Sequence, residues 1–297
     1  MTTETATDVF ESHRPVLLGV AYRMLGRVAD AEDVVQEAWL RWSGSDRGDV
    51  REPRGYLVRI TTRLAIDRLR QIKARGETYV GPWLPEPYVT DFGDSVPDTA
   101  ERAVLADSVS LAVLVVLESL SPLERAVFVL REAFGFPYAD IATMLDRGEP
   151  AVRRLAGRAR KHVEERRPRY EVDPAQRRDL TERFLAAAAG GDLDGLMALL
   201  APEVRLVGDS GGKSRAPLRI LQTADKVGRF LVGAVQKSLP GLPGLSVRFL
   251  ELNGGPAALI LSDGRPDSVF QIDVADGRVR SVYIIRNPDK LRSLAAD

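Results

Sequence analysis

Residues 137–167, PYADIATMLDRGEPAVRRLAGRARKHVEERR, decide how this sequence is read. Apolar residues recur at helical spacing through Ile141, Ala142, Met144 and Leu145. The short turn Asp146-Arg147-Gly148 breaks the pattern, and a second helix opens at Glu149. Helix, tight glycine-containing turn, helix is the helix-turn-helix signature. On the second helix Val152, Leu155, Ala156, Ala159 and Val163 share one side, and Arg154, Gly157, Arg158 and Lys161 lie opposite with Arg153 at the border. A glycine among arginines on an outer face lets a helix backbone approach a partner closely. The pattern is that of a recognition helix for a major groove, where Arg grips guanine edges or phosphates.

Outward from this stretch, charge is segregated. The 297 residues carry 42 Lys+Arg and 42 Asp+Glu, a formal net charge of zero. Yet residues 51–75 hold eight bases against two acids, and 147–169 nine against three. Residues 28–40 hold four acids and no base, and 86–110 six acids against Arg102. Opposed blocks of this kind suit partners that read local fields. Other classes fall away. No apolar run is long enough to span a bilayer, and the N-terminus has no basic and apolar leader pattern. There is no cysteine, so disulfides, Cys-ligated metals and thiol nucleophiles are excluded. His13 and His162 are the two histidines, which disfavours a His-based metal site or triad. No metal and no cofactor are expected.

Residues 8–75 read as nearly all helix. In DAEDVVQEAWLRW (30–42), Ala31, Val34, Val35, Ala38 and Trp42 form a buried stripe and leave Asp33, Gln36 and Glu37 outside. The next helix opens at Pro53, a good first-turn residue. It carries an apolar stripe of Leu57, Ile60 and Leu64 and a basic rail of Arg59, Arg63, Arg70 and Lys73. Residues 76–100 hold Pro82, Pro85, Pro87 and Pro97 and three glycines, so they read as an extended linker. Trp83 and Tyr88 are unusual for a pure spacer and are expected to dock. Residues 101–165 return to helix, with Ser121-Pro122 as a cap and first-turn pair.

From about 173 the pattern becomes α+β. A helical pair with a Gly-Gly break precedes strands at 203–207 and 217–221, a helix at 223–238, and alternating strands that form a curved antiparallel sheet. Asp263-Gly264 and Asp276-Gly277 are hairpin turns. Gly212-Lys213-Ser214 fails as a phosphate loop, because Val207 stands where the leading glycine is needed. A tight turn presenting Asp209 and Lys213 is the better account.

Together these residues resemble an extracytoplasmic-function sigma factor of the sigma-70 family. DAEDVVQEAWLR and PRGYLVRITTRLAIDRLR are similar to region 2, and SPLERAVFVLREAFGFPYADIATML followed by AVRRLAGRAR to region 4. The last domain is similar to the SnoaL-like cone, which one subgroup carries fused at its C-terminus. Three motifs mark that subgroup. They are Trp83-Leu84-Pro85-Glu86-Pro87, a glycine-rich turn matched by Asp209-Ser210-Gly211-Gly212-Lys213 with Ser210 for the first glycine, and Asn287-Pro288-Asp289-Lys290-Leu291.

The resemblance implies a multidomain chain: region 2 as an all-α bundle over 1–75, the linker over 76–100, region 4 with its helix-turn-helix over 101–168, and a SnoaL-like α+β barrel over 173–297. It implies RNA polymerase core and promoter DNA as partners. Asp33, Gln36 and Glu37 would meet the β′ clamp helices, and region 4 the β flap. Arg59, Arg63, Arg70 and Lys73 would follow the −10 element, and Arg153, Arg154, Arg158 and Lys161 the −35 element. The loop 43–52 resembles the one that captures an unpaired base. The acidic linker suits a basic polymerase channel. Trp83, Pro85, Glu86, Asp209, Gly211, Gly212, Lys213, Asn287, Pro288, Asp289, Lys290 and Leu291 would form an internal regulatory interface. The fused domain would then act in place of a separate anti-sigma protein, in the cytoplasm, with a small-molecule ligand in the cone as a further partner and no membrane. Two rivals stand beside this. One is a ligand-responsive helix-turn-helix regulator without a polymerase role. The other makes the cone an enzyme with Asp209 and Asp273 as acid and base, a chemistry that the absence of histidine after His162 disfavours.

Overall fold

The computed structural model describes residues 5–45, 50–75, 79–89, 110–166, 174–238 and 241–295. The chain divides into two compact units: residues 1–77 with 113–168, and residues 78–112 with 169–297. Each is described by itself. Within the linker, residues 90–100 lie outside the described residues, as do 46–49 of the base-capture loop and 101–109 of the expected helix.

The first unit is all helix. α1 (Ala6–Leu25) opens on a capping box between Thr5 and Asp8, and Gly26 ends it in the left-handed conformation at φ 70°. α2 (Val28–Ser43) buries Ala31, Val34, Val35, Ala38 and Trp42, the stripe that its periodicity predicts. The Trp42 indole donates to the Ala6 carbonyl at 2.8 Å, which closes the bundle's end. α3 (Pro53–Arg75) packs on both through Leu57, Val58, Leu64 and Ala65. Arg68 donates to the buried Asp30 at 2.7 Å, and this bond raises the guanidinium pKa above its ordinary value.

α4 (Leu111–Leu117) and α5 (Pro122–Phe128) follow, the latter entered through a Ser121–Glu124 capping box. A π-helical turn at Val129–Ala133 ends in Gly135. α6 (Tyr138–Leu145) and α7 (Glu149–Arg166) make the helix-turn-helix. Asp146, not Gly148, takes the left-handed position of the turn at φ 55°. Asp is among the few non-glycine residues that visit that region readily. The two helical segments meet inside this unit: Arg63 Nε donates to the Met144 carbonyl at 2.9 Å, and the buried Arg125 donates to the Arg23 carbonyl at 3.1 Å.

The second unit is α+β. α8 (Pro174–Gly190), α9 (Leu193–Leu199) and α10 (Ala224–Ser238) cover a six-stranded sheet of β1 (Leu200–Asp209), β2 (Leu221–Gln222), β3 (Ser246–Leu252), β4 (Gly255–Ser262), β5 (Arg265–Ala275) and β6 (Arg278–Ile285). The strand order is β2-β1-β6-β5-β4-β3. The expected all-antiparallel sheet is corrected here, because β1 runs parallel to β6. A parallel pair needs a crossover of a dozen or more residues, and α10 with the four strands β2 to β5 supplies it. The expected strand at 217–221 shrinks to Leu221–Gln222. Three hairpins turn on Asn253-Gly254, Asp263-Gly264 and Asp276-Gly277, with both residues of each at positive φ as type I′ turns require. Phe184, Leu196, Val204, Leu206, Val227, Val282 and Ile284 belong to one continuous apolar core between helices and sheet.

Candidate nucleic-acid interface and linker junction

In the first unit the acidic face is built by helical period alone. Asp33, Gln36 and Glu37 are exposed on α2, and Leu40, 63% exposed, continues the same stripe. Glu37 is tied to Arg41 at 2.6 Å, an exposed i,i+4 pair.

The basic rail on α3 is not uniform. Arg70 and Lys73 are exposed, and Arg70 pairs with Asp67 at 3.1 Å. Arg59 and Arg63 are half-buried against the helix-turn-helix, which differs from the open rail that the spacing predicts. Arg63 caps the C-terminal carbonyls of α6 through Met144, a favourable place for a cation. Arg59 lines a shallow cleft of about 510 Å³ with Thr143, Asp146 and Arg147. The rail's first half is therefore occupied by the same chain's helix-turn-helix, and its second half faces solvent.

On α7 the cations expected on DNA are all exposed, as is Gly157, where an added Cβ would meet nothing within 4 Å. They differ in how they are held. Arg153 donates twice to Glu149 Oε1, and its Cζ lies 4.6 Å from the centre of the Tyr138 ring. Arg158 donates to Glu124 at 2.9 Å. Lys161 lies 3.8 Å from Glu165, and Arg154 makes no ion pair among the described residues. The Ser121 hydroxyl, and then Arg158, hold the Glu124 carboxyl below its ordinary value. Glu132 raises the Arg160 guanidinium in the same way.

In the second unit the three motifs converge on one carboxylate. Asp209, at the end of β1, is fully buried, which corrects the expectation that its turn presents it to solvent. Its Oδ1 accepts from the Tyr79 hydroxyl at 2.5 Å and from Gly211 N at 3.1 Å. Its Oδ2 accepts from Leu84 N at 2.8 Å and from Lys290 Nζ at 2.7 Å. Lys290, 3% exposed, also donates to the Leu84 carbonyl and lies 4.2 Å from the Trp83 ring centre and 5.0 Å from that of Tyr79. Aromatic faces favour a cation here, where water is excluded. Asn287 donates to the Tyr79 hydroxyl at 2.8 Å, and its Oδ1 caps the 3₁₀ turn Pro288–Lys290 by accepting from Asp289 N.

The remaining motif residues close the rim. Lys213 pairs with Asp289, and Leu291 is buried. Pro85, Glu86 and Pro87 are buried, with the Ser293 hydroxyl 3.4 Å from Glu86. Pro288 is exposed and starts the 3₁₀ turn. Gly211 and Gly212 both have positive φ, and the linker packs on them: a Cβ at Gly211 would lie 2.5 Å from Asn287 Nδ2, and one at Gly212 3.1 Å from Val80. Ser210 does not have positive φ, so the one departure from the glycine-rich motif falls where no glycine is needed. Its hydroxyl accepts from Gly212 N at 3.3 Å. Beyond the junction, Asn253 N donates to the Tyr88 carbonyl, and Val89 bridges Leu252. Tyr79 is the junction residue that sequence reasoning missed. Its one signal is an aromatic residue four positions ahead of Trp83 in a segment too polar to form a core.

Comparison with known proteins follows this geometry. Residues 9–75 match sigma-70 region 2, and residues 110–163 match sigma-70 region 4. The chain is 43% identical to the ECF RNA polymerase sigma factor SigJ of Mycobacterium tuberculosis, over 95% of this chain and 91% of that one. It is 33% identical to the probable ECF RNA polymerase sigma factor SigI of the same organism, over 99% of this chain and 97% of that one. The crystal structure of Mycobacterium tuberculosis SigJ superposes with a TM-score of 0.76 at 40% identity, covering 95% of this chain and 96% of the other. The chain belongs to the extracytoplasmic-function (ECF) RNA polymerase sigma factors.

Proposed function

We propose that this sigma factor is regulated in cis, its C-terminal domain clasping the linker that joins regions 2 and 4. Region 2 docks on polymerase through Asp33, Gln36 and Glu37, and region 4 sits by the β flap. Arg59, Arg63, Arg70 and Lys73 serve the −10 element, and Arg153, Arg154, Arg158 and Lys161 the −35 element. The observation that carries the regulatory reading is the buried Asp209–Lys290 pair, whose two partners hold the Leu84 N–H and carbonyl respectively.

The clasp acts through reach. Residues 79–89 are eleven linker residues held on the C-terminal domain, which when free could contribute up to about 36 Å of reach between the two DNA-reading regions. A shorter free tether favours the arrangement in which Arg63 is spent on Met144, and that arrangement competes with DNA for the basic rail. Release of the linker restores the reach. On this reading the C-terminal domain does the work of an anti-sigma protein and is not an enzyme. Its Asp209 is already committed to an ion pair, and its core is packed with apolar side chains, Phe184 among them. The protein acts where polymerase is, in the cytoplasm.

Run-off transcription with purified core polymerase tests this, on a promoter upstream of the protein's own gene. Full-length protein is compared with chains lacking 287–297 or the whole C-terminal domain. Unchanged output from both truncations would sink the regulatory reading, and no transcript from any form would sink the sigma reading for this chain.

A further inference from the structure

The α7 cations expected on the −35 element, Arg153, Arg154, Arg158 and Lys161, are not equivalent in how they are held. Arg153 is engaged on two sides. Its Nε and Nη2 both donate to Glu149 Oε1, at 2.8 and 2.6 Å. Its Cζ lies 4.6 Å from the Tyr138 ring centre, and the same ring carries the Arg131 Cζ at 4.7 Å. Arg131 is itself anchored by donation to the Phe136 carbonyl at 3.1 Å. Glu149 thus takes the side edge of the Arg153 guanidinium. Of the five N–H groups of an arginine, the end edge, one N–H from each Nη, is left for a partner outside, on a side chain 60% exposed.

That end edge is the fork that matches O6 and N7 of guanine, the commonest specific contact in the major groove. Arg153 is the fifth residue of α7, in the N-terminal part that meets base edges in helix-turn-helix docking. Biasing its rotamer before binding lowers part of the entropy cost of the contact. Arg154 has no ion pair among the described residues, and Lys161, 78% exposed, is held only loosely by Glu165 at 3.8 Å. Such side chains suit phosphates, which require charge and reach rather than a fixed fork.

We infer that Arg153 reads one guanine of the −35 element, with Glu149 as its positioning residue. The inference rests on the reading of α7 as the helix that binds that element. It is tested with holoenzyme assembled from core polymerase and the full chain, used to select binding sequences from a random pool. Wild type should enrich a defined −35 sequence containing at least one guanine. Arg153→Lys keeps the charge and loses the fork, so the guanine preference at one base pair should fall about tenfold or more, with the other positions unchanged. Glu149→Gln should weaken the preference at that same base pair by a smaller factor, a readout that a merely structural Glu149 would not move. Arg154→Ala should weaken binding to all sequences and leave the preferences as they are.

Circular dichroism checks that each variant is folded. Unchanged base preferences in Arg153→Lys would overturn the inference while leaving the sigma reading intact. Failure of wild-type holoenzyme to select any sequence would overturn the sigma reading and the inference with it.

Discussion

Asp209 and Lys290 stand 81 positions apart and meet at 2.7 Å, with side chains 0% and 3% exposed. A buried ion pair is tolerated only when its remaining donors and acceptors are satisfied. Here the linker does much of that work. Leu84 supplies an N–H to one partner and a carbonyl to the other, and Tyr79 and Trp83 roof the ammonium. The pair and the linker therefore stand or fall together.

Removing one partner exposes that dependence. Asp209→Asn leaves Lys290 charged in a buried site and should cost about 3–5 kcal/mol locally. Hydrogen exchange provides the readout. The Leu84 amide is protected while it donates to Asp209, and in the variant it should exchange orders of magnitude faster, together with its neighbours in 79–89. Protection equal to wild type would show that the linker is held by other contacts.

The glycine-rich turn makes a paired prediction. Gly211 has φ 57° and abuts Asn287, so Gly211→Ala incurs both a left-handed backbone penalty of about 1–2 kcal/mol and a collision. Ser210 has no such backbone, so Ser210→Gly loses only the buried hydroxyl's bond with Gly212 N and should cost about 1 kcal/mol. Thermal unfolding should separate the two variants by several degrees.

Region 4 carries a pH signature. The folded Glu124 carboxyl lies below its ordinary value of 4.5, mainly because Ser121 donates to it, with Arg158 adding to the effect. A depressed folded pKa means that the stabilisation is fully present above the ordinary value and is lost as pH falls through the lower one. Stability measured from pH 6 down to pH 3 should decline less steeply in Glu124→Gln than in wild type.

The cations assigned to phosphates should reveal themselves through salt. Log affinity of holoenzyme for promoter falls linearly with log salt, and loss of one phosphate contact should reduce the slope by about one. Arg154→Ala and Lys161→Ala are each expected to do so, as read from binding isotherms at several salt concentrations.

How far the residues alone reveal this structure depends on the range of the forces involved. The stripe of Val34, Val35, Ala38 and Trp42 follows from helical period, and the turns at Asp263-Gly264 and Asp276-Gly277 from local backbone chemistry. The parallel pairing of β1 with β6 does not, because it depends on what fills the long crossover between them. Likewise a tryptophan in a proline-rich linker signals docking, but its partner Lys290 lies more than 200 residues away. The half-buried Arg59 and Arg63 escape sequence reasoning for the same reason. A basic face reads the same on a helical wheel whether DNA or the chain's own α6 lies against it.

The most direct test of clasp regulation is run-off transcription with core polymerase, comparing wild type with Lys290→Met and with the milder Trp83→Ala. Both variants loosen the linker and leave regions 2 and 4 untouched. Several-fold more transcript from both is the predicted result, with the larger rise from Lys290→Met. Output equal to wild type from both variants, with residues 79–89 shown by hydrogen exchange to be released, would contradict the account.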